Sequence, residues 1–335
     1  MNDPSLLDTW TSVQRAETLL VRTAVQRNPA LMSQLFTGVE LDRAAQALLT
    51  RMASGFDPQN LRAGDYLVRY PFSSVETIES GLERLVDCGV AVARGEGRYA
   101  LSALGEQVVH HWLDTVSTMI QSLDLGDVPP AAIQSLLDYD RHILEAIQAA
   151  SRPHGHPIFR HRLRGLHPAY DPPQRWHHWQ RVWTMLAASE DEQEYVRQQR
   201  NLSPLVWFIR RQTWFVHRRP WLVRAKPTLE NLVRRATGYS PIDHAEEACA
   251  RAAAELEAHN WLETVAGEFR LTQAGLAACD QDESEIDANF LSCWPAFSGY
   301  ERKELLDIST RLNSHLEALR RSEPESRSMA GEIAR

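Results

Sequence analysis

The chain has almost no lysine: of 36 basic residues only Lys226 and Lys303 are not arginine. It has four cysteines, Cys88, Cys249, Cys279 and Cys293, and no CxxC pair. That excludes the usual zinc-ribbon and dithiol arrangements and leaves isolated reduced thiols. No uninterrupted apolar run approaches the roughly 18 residues a spanning helix needs. The amino terminus, Met1-Asn2-Asp3-Pro4, has neither a basic stretch nor an apolar signal core. A cytoplasmic location without membrane contact is the expectation. The patterns GxxxxGK[ST], GxGxxG and GxSxG are also missing, and no nucleophile–base pairing is supported by spacing. No catalytic residue and no cofactor are therefore assigned, and an enzyme is not expected.

What is present begins with a repeat. Gly97-Arg98-Tyr99-Ala100-Leu101-Ser102-Ala103-Leu104-Gly105 is matched 170 residues later by Gly267-Glu268-Phe269-Arg270-Leu271-Thr272-Gln273-Ala274-Gly275. Glycine, aromatic, leucine, hydroxyl and glycine fall in register. A glycine turn, a short strand and a Ser/Thr helix cap predict a hairpin running into a helix at both places. Upstream of the first copy, periodicity predicts helices over 8–27 and about 41–54, the latter stopped at Gly55. Asp57-Pro58 predicts a third helix ending near Tyr70-Pro71. Ser73-Ser74-Val75-Glu76 is a capping box for a fourth, with Ile78, Leu82 and Leu85 on its inner face. Gly89 closes it, and Val90–Ala93 with Arg98–Leu101 make the hairpin. Before the second copy, Leu229, Leu232 and Val233 mark one helix and Ala252, Ala253 and Leu256 another, with Asn260 in the place of Gly89.

That order of helices and hairpin resembles the MarR-like winged-helix regulators, over roughly 40–110 and again over 228–282. The resemblance implies a mainly α fold: two winged helix-turn-helix domains with small β-hairpin wings, joined by a helical middle block. The expected division is an N-terminal helix to 30, the first winged domain and linker helix over 31–125, the middle block over 126–225, the second winged domain over 226–284, a packing helix over 285–320 and a disordered tail over 321–335. Ser298 to Glu301 caps the packing helix, which resembles the closing dimerisation helix of that family. The implied function is transcriptional regulation through double-stranded DNA, tuned by a small-molecule effector or a protein partner, with the chain acting as a monomeric pseudo-dimer or a homodimer. On DNA the resemblance places Thr77, Ser80 and Arg84 against bases, and Arg94 and Arg98 against phosphates, with Arg251 and Arg270 in the second copy. The same helices carry Glu76, Glu79, Glu83 and Asp87, then Asp243, Glu246, Glu247 and Glu255. Such faces repel phosphate, so a winged-helix module that docks a protein instead is the competing reading.

Residues 141–235 hold 17 basic against 7 acidic residues, whereas the remainder of the chain carries a net −18. This block also holds six of the ten tryptophans. Trp176, Trp179 and Trp183 share one helical stripe, and Trp207, Arg211, Trp214 and Arg218 share another. The second stripe is assigned as the wall of a cationic, aromatic pocket between the winged domains. The alternative is a core in which arginines, among them Arg210, Arg219 and Arg224, pair with the acidic run Glu190-Asp191-Glu192-Glu194. Helices are expected over 138–150, 174–189, 191–200 and from the Ser203-Pro204 cap to Pro220. Eight of thirteen histidines lie here too, including His154, His156, His177 and His178. Their spacing matches no ligand pattern, so no metal site is assigned, and a metal-dependent enzyme trails the other readings.

Overall fold

The computed structural model describes residues 5–32, 36, 39–152, 154–165, 175–223 and 225–322. The tail from 323 on, Pro153, Arg224 and the 166–174 part of the proline-rich segment lie outside them. Among the described residues there are 14 helices and two small antiparallel sheets, a mainly helical fold.

The chain opens with α1 (Leu6–Arg27), capped by Ser5, and a single turn α2 (Pro29–Met32). The first helix–hairpin unit follows: α3 (Arg43–Gly55), β1 (Leu61–Arg62), α4 (Ala63–Arg69), α5 (Val75–Asp87), β2 (Ala91–Gly95), β3 (Arg98–Leu101) and α6 (Ala103–Gln121). Ser74 caps α5, whose Ile78, Leu82 and Leu85 are buried as the spacing predicts. The expected helix from Pro58 does not form. Asp57 instead turns the chain by accepting from the Gln59 N–H, Leu61 pairs with Tyr99, and the Leu101 N–H donates to the Pro58 carbonyl. Helix α4 begins only at Ala63.

Next come α7 (Pro130–Ala149), which starts earlier than expected behind Pro129, and α8 (Pro157–Leu163), between the expected helices 138–150 and 174–189, where none was expected. Two expected helices are one: α9 runs unbroken over Trp176–Gln199. Helix α10 (Pro204–Arg218) starts at the Ser203 cap. The second unit is α11 (Leu229–Tyr239), α12 (Ala245–Ala258), β4 (Leu262–Val265), β5 (Glu268–Leu271) and α13 (Gln273–Leu291). Last, α14 (Gly299–Arg321) opens on the Ser298–Glu301 capping box and packs along α1.

The two hairpins share their turn and their helix cap, and differ in a register shift at Ala93–Gly95 that only the first carries. Both turns place their two central residues at positive φ, Glu96-Gly97 and Ala266-Gly267. This is the backbone of a type I′ turn, which matches the twist of the flanking strands. Ser102 Oγ accepts from the Gly105 N–H and donates to the Gly89 carbonyl at 2.6 Å; Thr272 Oγ1 accepts from Gly275 and donates to Asn260 at 2.6 Å. Gly89 and Asn260 share a left-handed backbone, φ 75° and 56°. A Cβ on Gly105 would lie 1.9 Å from the Val90 carbonyl oxygen, and one on Gly275 would lie 2.1 Å from that of Trp261. Glycine is required at both places because the helix start presses on the strand.

Two apolar cores hold the molecule together. The first joins α1, the first unit, α7, the amino-terminal half of α9 and α14; the second joins the end of α9, α10 and the second unit. The middle block thus has no core of its own. Trp176, Trp179 and Met185 belong to the first cluster, and Val196, Trp207 and Trp214 to the second. Cys249, Cys279 and Cys293 are buried, Cys88 is half-buried, and all four thiols are free. No helix among the described residues is long and apolar enough to cross a membrane.

Candidate ligand cavity

Where the two units face each other, a cavity of about 490 Å³ opens between α1, α3, α6, α9, α10 and α11. Cavities of this size accept a small organic molecule. Its apolar walls include Val21, Val25, Trp112, Leu186 and Phe215. The indoles of Trp179 and Trp183 also line it and stack on each other with centroids 5.2 Å apart. These two come from the tryptophan stripe of α9, whose helical spacing was visible in the sequence.

Five arginines reach the cavity: Arg22, Arg51, Arg69, Arg234 and Arg235. Arg22 is anchored by donating to the carbonyls of Trp221 and Leu222. Arg69 is buried and pairs with Glu190 at 2.7 Å. The Arg51 guanidinium sits over two rings, 5.7 Å from Tyr70 and 5.3 Å from Tyr239, a sandwich that favours a desolvated cation. The Nε and Nη1 of Arg235 are buried and make no hydrogen bond. A buried guanidinium donor without an acceptor is costly, and an anionic ligand group would relieve that cost. On the opposite wall Glu17 is buried, and desolvation pushes its carboxyl up to about 7 even though the Thr18 hydroxyl donates to it. The cavity near neutral pH is therefore cationic, aromatic and only partly balanced by carboxylates.

Trp207, Arg211, Trp214 and Arg218, assigned to a pocket wall from the sequence, are not among the residues lining this cavity. The reason is α13. Its Glu283 binds Arg211 through both oxygens, and Asp280 accepts from Arg218 and from Trp214 Nε1 at 2.8 Å. Asp282 pairs with Arg210 and Arg200, and Asp287 with Arg219 at 3.1 Å. Trp207 and Trp214 are buried. The stripe is thus fastened to α13, and the neighbouring residues Gln212 and Phe215 face the cavity. The ion-pair alternative describes these arginines better, but with a different acidic run. Glu190, Glu192 and Glu194 pair instead with Arg69, Arg152 and Arg197.

The residues assigned to DNA are scattered by this packing. Thr77 donates to Asp243 at 2.5 Å, so the first turn of α5 meets the segment leading into α12. Ser73 Oγ, at 2.5 Å from the Pro241 carbonyl, seals the same junction. Ser80 is exposed, and Arg84 pairs with Asp42 at 2.6 Å. Arg94, Arg251 and Arg270 are exposed, while Arg98 is half-buried, donating to Asn60 and lying 3.8 Å from Glu96.

No family model, curated protein or solved structure matches this chain.

Proposed function

We propose that the two helix–hairpin units are winged helices of MarR-like type and that the chain is a ligand-responsive DNA-binding regulator. The sensor is the cavity between the units, and its ligand is an anionic aromatic molecule. The observation that carries this is Arg235, whose Nε and Nη1 are buried without an acceptor in a cavity between the units that the stacked indoles of Trp179 and Trp183 also line. A ligand there touches α3 of the first unit and α11 of the second, so its binding energy bears on how the two are disposed. DNA contact falls to the exposed arginines of the hairpins, Arg94 and Arg270, with Arg98 beside them. The starts of α5 and α12 meet through Thr77 and Asp243, far closer than the roughly 34 Å that separates two recognition helices in successive major grooves.

The test of the sensor is a titration with aryl carboxylates and their neutral amides, read by tryptophan fluorescence and thermal shift. Carboxylates should quench and stabilise, amides should not, and Arg235→Ala should remove the difference. Equal response to acid and amide, or no response to either, sinks the reading.

A second reading has its own observation. The outer face of α5 carries Glu76, Glu79, Glu83 and Asp87, and its one arginine is already paired. Such a face suits a basic protein partner better than phosphate. Binding to a random-sequence duplex in 50 mM salt decides between them: saturable association supports the regulator, and its absence favours the docking module.

A further inference from the structure

We propose that His154, His156 and Glu192 form a site for one divalent transition-metal ion of the zinc class, which clips the segment before α8 onto α9. The site is independent of the cavity and of any DNA-binding role.

One nitrogen of each histidine and one oxygen of Glu192 lie within 4.8 Å of one another, a spacing that a shared ion can bridge. His154 Nε2 is 3.2 Å from Glu192 Oε1. Glu192 is fully buried and His156 nearly so. All four ring nitrogens of the two histidines are buried and make no hydrogen bond. Buried imidazole nitrogens normally find a partner, and one shared ion would supply it for one nitrogen of each ring.

The surroundings resemble an outer shell. Arg152 holds the Glu192 carboxylate at both oxygens, 3.0 and 2.9 Å, and reaches Ser292 with its remaining arm. A carboxylate offers about four lone-pair directions, so two remain for an ion, and an oriented carboxylate is a better ligand. Tyr195 stacks on His154 at 4.5 Å and fixes the ring plane. Asp191 lies 3.7 Å from His156 Nδ1 and accepts from the Ile158 and Phe159 N–H groups, tying the start of α8 to the same turn of α9. Two imidazoles and a carboxylate suit zinc, with water completing the four ligands. The bland alternative is a plain ion pair between Arg152 and Glu192 with idle histidines beside it.

The experiment uses tag-free full-length chain, stripped with a chelator and titrated with zinc chloride against a competing indicator. One ion per chain with a submicromolar Kd is expected, together with a rise in Tm. His154→Ala leaves the Arg152–Glu192 pair in place and should weaken binding at least about a hundredfold. The exposed pair His110 and His111 on α6 serves as control: replacing both with alanine should leave zinc affinity unchanged. A measurement that needs no variant is Co²⁺ loading, which should give the visible absorption of a four- or five-coordinate ion. Wild-type binding weaker than about 10 µM, affinity unchanged by His154→Ala, or a Co²⁺ spectrum identical to that of the hexaaquo ion would each overturn the proposal.

Discussion

Glu17 is the residue through which pH should act on this fold. It faces the cavity from α1, 8% exposed, and burial raises its carboxyl from 4.5 to about 7. The folded state therefore holds this proton more tightly than the unfolded state does. Stability from this group is greatest below pH 4.5, falls as pH rises, and reaches its floor above about 7. At about 1.36 kcal/mol per pH unit, the whole descent is about 3 kcal/mol. Glu17→Gln removes the ionisation while keeping an oxygen to accept from Thr18. The variant should match wild type near pH 4.5 and exceed it by about 3 kcal/mol at pH 8. For 335 residues the melting entropy is about 0.7 kcal/mol/K, so the gain in Tm at pH 8 should be about 4 °C. Urea denaturation of both proteins at half-unit pH steps from 4.5 to 8 reads the difference directly. A constant offset between them over that range would mean that Glu17 ionises like a surface carboxylate, and the desolvation argument would be wrong. An ionised Glu17 also opposes an anionic ligand, so the affinity for aryl carboxylates should fall as pH rises through 7.

The remaining stability predictions separate close packing from charge. Gly105→Ala and Gly275→Ala should each cost about 2–3 kcal/mol in chemical denaturation, because the new Cβ meets a carbonyl oxygen at 1.9 and 2.1 Å; tolerance of either would refute the equivalence of the two helix starts. Asp282→Ala strands the buried Arg210 and should cost about 3–5 kcal/mol. Lys226→Ala breaks an exposed pair with Glu268 and should leave denaturation unchanged. A large effect at Lys226 with none at Asp282 would invert the burial argument.

The parts of the fold legible in the sequence are those fixed by short-range chemistry. The hairpin turn, the hydroxyl cap and the glycine behind it each act within a few residues, so Gly97 with Gly267 and Gly105 with Gly275 mark the same structures. Asn260 was readable as the counterpart of Gly89 because both tolerate a left-handed backbone. Pro58 misled because a cap followed by proline is a local rule, whereas the pairing of Leu61 with Tyr99 depends on β3, far along the chain. The break expected within α9, between 174–189 and 191–200, does not occur. The helix continues because Arg69 and Arg152 compensate its acidic turn and Asp191 caps α8. Trp179 and Trp183 showed a shared helical face through spacing, although the pocket was assigned to the other stripe; Arg235 carried no signal, since only the assembled junction leaves its Nε and Nη1 without an acceptor. Glu192 was likewise invisible as a partner for His154-x-His156, because the three meet only when the segment before α8 folds against α9.

The charge split is where packing most changes what the sequence implies. A block carrying seventeen basic residues against seven acidic ones reads as a surface for nucleic acid. In the fold, Arg200, Arg210, Arg211, Arg218 and Arg219 are all met by carboxylates of the helix that follows the second hairpin, and Arg152 and Arg197 by Glu192 and Glu194 of α9. Much of the positive charge is neutralised inside the molecule rather than offered to solvent. In the proposed regulator the phosphates are met by Arg94, Arg98 and Arg270 of the hairpins. Each neutralised phosphate contributes about −0.9 to the slope of log affinity against log salt, so three arginines give a slope of about −2.7. Fluorescence anisotropy with a labelled duplex between 50 and 200 mM salt measures it, and Arg94→Ala should bring the slope up by about 0.9. A slope steeper than about −6 would require the arginines now paired with α13 to leave their carboxylates for phosphate. It would refute both the internal-neutralisation argument and the assignment of DNA contact to the hairpins.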